Sequence, residues 1–181
     1  MSDKQLQVTL PPLPVAYSAR VSKSVGTVIL EFVAPDRTRA DILEPLDQRS
    51  IVIRREDRGV LWKIFPERKR CEWATIKGPA TKARDLLGDV AHGWQEKRTT
   101  RIDGVPCRHL ARPGPRANIS DHLFLDARTG MYRRWESRIG PERIVTDWTD
   151  VQLETPADHL FEYDLEGFTM VRLPNVWPII R

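Results

Sequence analysis

From Thr27 onward the chain is a succession of short β-prone runs punctuated by turn residues. Thr27 to Val33 reads TVILEFV, Arg37 to Leu43 follows the Pro35-Asp36 break, and Ser50 to Arg54 reads SIVIR before Asp57-Arg58-Gly59. Such runs bounded by Gly, Pro and Asp are strands joined by tight turns. The stretch GVLWKIFPERKRCEW, residues 59 to 73, shows the pattern most clearly. Alternate side chains of a strand share a face, which groups Val60, Trp62 and Ile64 on one strand and Cys71, Trp73 and Thr75 on the next. Pro66 and the charged residues around it make a wet hairpin corner.

The same grammar continues towards the C-terminus. Trp94 to Ile102 meets Asp103-Gly104, a strong hairpin signal, and Val105 to Ala111 returns. Leu123 and Leu125 alternate with His122, Phe124 and Asp126 up to Thr129-Gly130; Met131, Arg133 and Trp135 alternate with Tyr132, Arg134 and Glu136. Gly140-Pro141 turns the chain into a further strand over Ile144 to Leu153. One helix interrupts the strands. Ala83, Leu86, Leu87, Val90 and Ala91 form a single apolar stripe, with Thr81 as N-cap and Gly93 at the C-terminal end. Thr155-Pro156-Ala157-Asp158 predicts a helical turn before Leu160-Phe161, with Pro156 at its first position.

About nine or ten strands and one substantial helix make the fold mainly β (α+β). The expected architecture is a large curved antiparallel sheet forming an open, incomplete barrel, with one or two helices on the concave side. A chain of 181 residues is read as a single domain, 1–181, with its core at about 15–174 and short tails.

Charge and motif content restrict the function. Lys and Arg number 29 against 25 acids, a net charge of +4 that is spread along the chain and not gathered into a stripe. No run approaches the roughly 18 apolar residues of a membrane span. Met1-Ser2-Asp3-Lys4-Gln5 lacks the pattern of a secretory signal, so either a targeting segment was removed or the protein is cytoplasmic. His92, His109, His122 and His159 lie on different elements without metal-ligand spacing, and there is no GxSxG or glycine-rich phosphate loop. No catalytic residue, metal or cofactor is expected, and the chain reads as a non-enzyme. Cys71 and Cys107 lack CxxC spacing; they are either free and buried or joined in a disulfide closing a loop.

The tryptophans carry the functional expectation. Trp62, Trp73, Trp135 and Trp148 each sit in a strand beside alternating aliphatics. A concave face larger than one helix can fill leaves Trp62, Ile64, Trp73, Leu123, Leu125, Trp135 and Trp148 to bind lipid or acyl chains. Each buried methylene contributes about 0.8 kcal/mol, so such a site needs no polar signature. Two rival readings remain. One is a nucleic-acid-binding β protein using the basic hairpin 66–70, with Arg54-Arg55 and Arg133-Arg134 tracking phosphates, although Glu56, Asp57, Glu67, Glu72 and Glu136 interrupt those cations. The other is a protein-interaction module of an envelope complex, using the tail Asn175 to Ile180.

The order of motifs resembles the periplasmic lipoprotein carrier-like (LolA-like, outer-membrane lipoprotein-sorting-like) superfamily. The matching run is Gly26 and its strand, Pro35, Arg39, Pro45, Ile51 to Ile53, Gly59, Leu61-Trp62 and Pro66. It continues through Asp103-Gly104-Val105-Pro106-Cys107, the Leu125 to Arg133 turn, Phe161 and Glu166-Gly167-Phe168. The resemblance spans roughly Tyr17 to Pro174. It implies an open half-barrel with helices on its concave side, acyl-chain binding, an acylated protein or envelope protein as partner, and a place in the periplasm or cell envelope. Carriers have an arginine directly before the first proline. Ala34 stands there in this chain, which implies a lipid-binding or sensor relative over a dedicated shuttle.

Overall fold

The computed structural model describes residues 7–8, 14–76, 93–114 and 118–174. The strands are β1 (Gln7–Val8), β2 (Tyr17–Lys23), β3 (Thr27–Ala34), β4 (Arg37–Glu44), β5 (Ser50–Arg55), β6 (Val60–Phe65) and β7 (Arg70–Thr75). They continue as β8 (Trp94–Glu96), β9 (Thr100–Ile102), β10 (Val105–Pro113), β11 (Ile119–Asp126), β12 (Tyr132–Ile139), β13 (Glu142–Gln152) and β14 (Thr169–Arg172). Hydrogen-bonded neighbours follow the order β1-β8-β10-β11-β12-β13-β2-β3-β4-β5-β6-β7-β14, with β9 on β10. The order has two ends, β1 and β14, so the sheet is open. The helix expected over 81–93 lies outside the described residues apart from Gly93, as do His92 and the tail 175–181.

Local chemistry accounts for the turns. Asp103 and Gly104 both take positive φ, 48° and 80°, the backbone that a two-residue hairpin with right-handed strand twist demands. At the β6–β7 corner, Pro66–Arg68 forms a 3-10 turn and Lys69 is left-handed at φ 46°. The expected helical turn near Phe161 is a 3-10 turn over Asp158–Phe161. It starts two residues later than Pro156 would place it. Ala157 precedes it without a side-chain cap, so Pro156 belongs to the extended approach. The expected strand Trp94 to Ile102 divides into β8 and β9.

The chain comprises two compact units, each assembled from separated stretches. Among the described residues, unit 1 takes 7–8, 14, 21–25, 93–114 and 118–149, and unit 2 takes 15–20, 26–76 and 150–174. In unit 1, β10, β11 and β12 pair in antiparallel register with Leu110 opposite Leu123 and Leu123 opposite Trp135. A register shift falls between Phe124 and Leu125, which pair with Arg134 and Tyr132. Arg133 is the extra residue. Tyr132 therefore joins the face of Leu125, Leu123 and Trp135, whereas strict alternation puts it opposite Trp135.

In unit 2, β3 to β7 form an antiparallel meander with β14 added parallel to β7. Register aligns side chains in rows across one face: Phe32, Arg39, Ile53, Trp62, Trp73 and Arg172 form one, and Leu30, Asp41, Ile51, Ile64, Cys71 and Met170 the next. Across this face Ile53, Ile64 and Cys71 are fully buried. They are packed on by Ile51, Trp62, Tyr163, Leu165 and Phe168.

Candidate functional site

The expected site residues fall into two groups, one in each unit. Leu123 and Leu125 are fully buried in unit 1 together with Trp94 and Leu110; Tyr132 is buried beside them, and Trp135 and Trp148 pack on this floor while staying half-buried. The rings meet edge to face: Trp94–Trp135 centroids lie 6.1 Å apart, Tyr132–Trp135 6.5 Å and Tyr132–Trp148 5.5 Å. Such contacts contribute about 0.5–1.5 kcal/mol each beyond area burial and fix ring orientation.

A carboxylate pins this aromatic face. Asp121 is 8% exposed and accepts from Trp135 Nε1 at 3.2 Å, from Ser137 Oγ at 2.7 Å and from Arg112 Nη2 at 2.8 Å. Arg112 also lays its guanidinium 5.0 Å from the Trp94 ring centroid. The polar edge of Trp135 is thus held by a carboxylate that is itself paired with Arg112.

In unit 2 the chain itself covers Ile64, one of the other candidates. Ile64 is fully buried and its cluster is packed on by Trp62, Tyr163, Leu165 and Phe168, while Trp62 and Trp73 stay half-buried. Trp73 sits opposite Trp62 in the register, and the Arg172 guanidinium stands 5.2 Å from its ring centroid. Arginines of β4 and β5 hold the covering segment. Arg37 Nη2 donates to Asp158 at 2.6 Å, Arg39 Nη1 to the Leu160 carbonyl at 2.7 Å, and Arg55 Nη1 to Glu162 at 2.5 Å. Arg55 also pairs with Asp57 at 2.6 Å; these partners hold it charged, and they hold Asp57 and Glu162 below the ordinary carboxylate range. Phe161 is fully buried under the Arg37 guanidinium at 5.3 Å.

The structure forms no Cys71–Cys107 bond. Both cysteines are free and buried, and each Sγ contacts a carbonyl of its own strand: Glu72 O at 3.8 Å for Cys71 and Val105 O at 3.3 Å for Cys107. Burial, reinforced by Glu72, pushes the Cys71 thiol up to about 11. The basic residues of the nucleic-acid reading are largely engaged. Arg54 pairs with Glu56, Arg55 with Asp57, Arg70 with Glu72, Arg133 with Asp126 and Arg134 with Asp147. At the hairpin tip the exposed Arg68 and Lys69 stack on Phe65 and Phe168.

One arrangement escaped the sequence reading. His109 and His122, on adjacent strands, meet through Nε2 and Nδ1 at 3.0 Å, and His109 stacks on Phe124 with centroids 4.5 Å apart. Burial lowers both imidazoles from their ordinary range; the two rings' proximity lowers His109 further, as does Arg138 for His122. The register of β10 on β11 brings them together, and the loop between the strands hides that register in the sequence. Among the described residues no group of three or more His, Cys, Asp and Glu could hold a metal, and no helix is long and apolar enough to cross a membrane.

Scanned against protein-family models, the chain matches none. No curated protein matches it. Solved structures do. An uncharacterized conserved protein from Thermus thermophilus superposes with TM-score 0.62 at 10% identity, covering 89% of this chain and 92% of that one. MucB of Pseudomonas aeruginosa, in its complex with MucA, superposes with TM-score 0.54 at 14% identity over 87% of this chain; the match spans 58% of the MucB chain. A LolA superfamily protein from Nitrosomonas europaea aligns over 85% of this chain and 93% of that one at 14% identity, with a TM-score of only 0.34. At these identities the likeness is one of fold alone: the chain shares the fold of the Thermus thermophilus protein and of MucB.

Proposed function

We propose that this chain is a non-enzymatic protein of the bacterial cell envelope that binds lipid or acyl chains, as a carrier or sensor, against the Trp135–Trp148 face of unit 1. The observation that carries the reading is the pairing of a fully buried floor, Trp94, Leu110, Leu123 and Leu125, with two half-buried tryptophans above it. An acyl chain laid on Trp135 and Trp148 gains about 0.8 kcal/mol per buried methylene, with no polar group required. In unit 2 Ile64 is fully buried with Tyr163, Leu165 and Phe168 packed on its cluster, whereas Trp62 and Trp73 stay half-buried as Trp135 and Trp148 do. The acyl site is placed at Trp135 and Trp148, with Leu123 and Leu125 as its floor, because both rings meet Tyr132 edge to face beside that floor.

Fold analogy supports the periplasm or cell envelope as the compartment, and the MucB–MucA complex supports an envelope protein as a further partner. Native mass spectrometry with lipid extraction, on protein exported and purified without detergent, tests the acyl reading. A co-purifying lipid that is lost in Trp148→Glu, with the circular dichroism spectrum unchanged, is the expected result. A clean apo mass that stays unchanged on adding lipids overturns it.

A further inference from the structure

We infer that the arginine-bearing face of unit 2 is a recognition surface for an extended acidic and aromatic segment of a partner protein, with residues 158–168 of this chain as its built-in stand-in. The inference gives a chemistry to the protein partner proposed above and does not depend on the acyl reading of unit 1.

The face carries cations that its own strands do not match one for one. Arg37 of β4 lies directly opposite Arg55 of β5, and like charges so placed repel across a sheet. Arg39 shares the face of Arg37, and Arg58 follows in the turn after β5. Conflicts of this kind are kept where a site uses them. Two of the arginines are aimed by a carboxylate two residues on. Asp41 accepts from Arg39 Nε and Nη2 at 2.6 and 2.8 Å, and Asp57 accepts from the same two atoms of Arg55 at 2.9 and 2.6 Å. Each guanidinium then gives its Nη1 to a main-chain carbonyl of the covering segment: Arg39 to Leu160 at 2.7 Å, Arg55 to Phe161 at 3.4 Å. The same device on neighbouring strands, aimed at consecutive carbonyls, reads a backbone whatever its side chains. Arg37 on Asp158, with Arg55 and Arg58 on Glu162, adds a preference for acids.

The covering segment itself shows what the face accepts. Phe161-Glu162-Tyr163-Asp164-Leu165-Glu166 alternates apolar and acidic residues. Burial alternates with them, as in an extended chain: Phe161 is fully buried, Tyr163 and Leu165 are half-buried on the Ile53, Ile64 and Cys71 cluster, and the three acids are exposed. Between its 3-10 turn and β14 the segment forms no strand, so side-chain contacts hold it over the sheet. Its approach, residues 153–155, is exposed and irregular, and Gly167 at φ 73° marks its far end. A partner segment with the same alternation meets the same donors when the cover yields. With Asp158 82% and Glu162 46% exposed, salt screens the contacts that hold the cover.

The test titrates a fluorescein-labelled peptide with the sequence of residues 157–169 into the full chain, read by anisotropy. The chain's own cover competes with the peptide. The expected result is saturable binding that tightens about tenfold in the full-length double variant Asp158→Asn, Glu162→Gln, and weakens about tenfold when Arg58→Glu is added to that variant. Both acids are exposed and Arg55 keeps Asp57, so the fold survives the double substitution. Failure of the peptide to bind either protein saturably, equal affinity for the wild type and the double variant, or equal binding of a scrambled peptide of the same composition overturns the proposal. None of these results alters lipid co-purification, which tests the acyl reading separately.

Discussion

The indole N–H of Trp135 donates to Asp121 Oδ1 at 3.2 Å from across the β11–β12 pair. One buried carboxylate thereby sets the tilt of the tryptophan that forms half of the proposed acyl face. It also pairs with Arg112, itself stacked on Trp94, so the floor and rim of that face share a single electrostatic anchor.

Asp121→Ala should therefore cost about 3 kcal/mol, the order expected when one partner of a largely buried ion pair is removed. Urea unfolding measures the loss, and the Trp135 emission should shift to the red. A change below 0.5 kcal/mol, on the order of an ordinary surface substitution, would show that the anchor is not structural.

The clamp on Phe161 separates exposed from buried charge. Asp158 is 82% exposed, so Asp158→Asn should change stability by less than about 0.5 kcal/mol despite its 2.6 Å contact with Arg37. Arg55 is 5% exposed and bridges Asp57 and Glu162, and Arg55→Ala should cost about 3 kcal/mol. Equal effects of the two substitutions in chemical denaturation would contradict this account.

Acid should weaken unit 1 through the imidazole pair. Both rings titrate below the ordinary 6.5 in the folded chain, burial being the main cause for each. The unfolded chain then binds more protons over the window from about 6.5 down to the lowered folded values, so stability falls as pH falls through that window. The charged groups acting on the pair are Glu136 and Asp121, which favour protonation, and Lys97, Arg98 and Arg138, which oppose it. Unfolding free energies from pH 7.5 to 5 should show a slope that His109→Phe reduces. An unchanged slope in that variant would assign the acid sensitivity to the carboxylates.

The thiols should be silent in the native state. Cys71 is fully buried with its thiol pushed up to about 11, and Cys107 is fully buried and also raised by burial. Thiolate is the reactive form, so labelling at pH 8 should be negligible until urea unfolds the chain, when two thiols react. Rapid labelling of folded protein would show that one of these strands opens locally.

Short-range physics made most strands readable. Asp103-Gly104, Thr129-Gly130 and the Pro66 corner each encode their turn locally, and β3 to β7 fall where alternation and turn residues put them. Three features depend on register or distant chain and were not readable. The extra residue at Arg133 puts Tyr132 on the face of Trp135, although counting by twos separates them. The meeting of His109 with His122 follows from how β10 lies on β11. The parallel pairing of β14 with β7 brings Phe168 onto the buried Ile53, Ile64 and Cys71 cluster. Trp62, Trp73, Trp135 and Trp148 were legible because an aromatic on an alternating strand marks a face; that Trp135 and Trp148 would meet through Tyr132 was not.

The Arg37–Asp158 and Arg39–Leu160 contacts each span 121 residues of chain. On a ribosome adding roughly 5–20 residues per second, β4 is made some 6–24 seconds before the segment that roofs it. Through that interval the nascent Ile53, Trp62 and Ile64 surface is bare, and a row of arginines borders it. A cell making this protein must keep that sticky, cationic patch from pairing with strangers until its own acidic cover is synthesised. Holding factors that favour apolar, basic stretches are the natural company for the half-made chain.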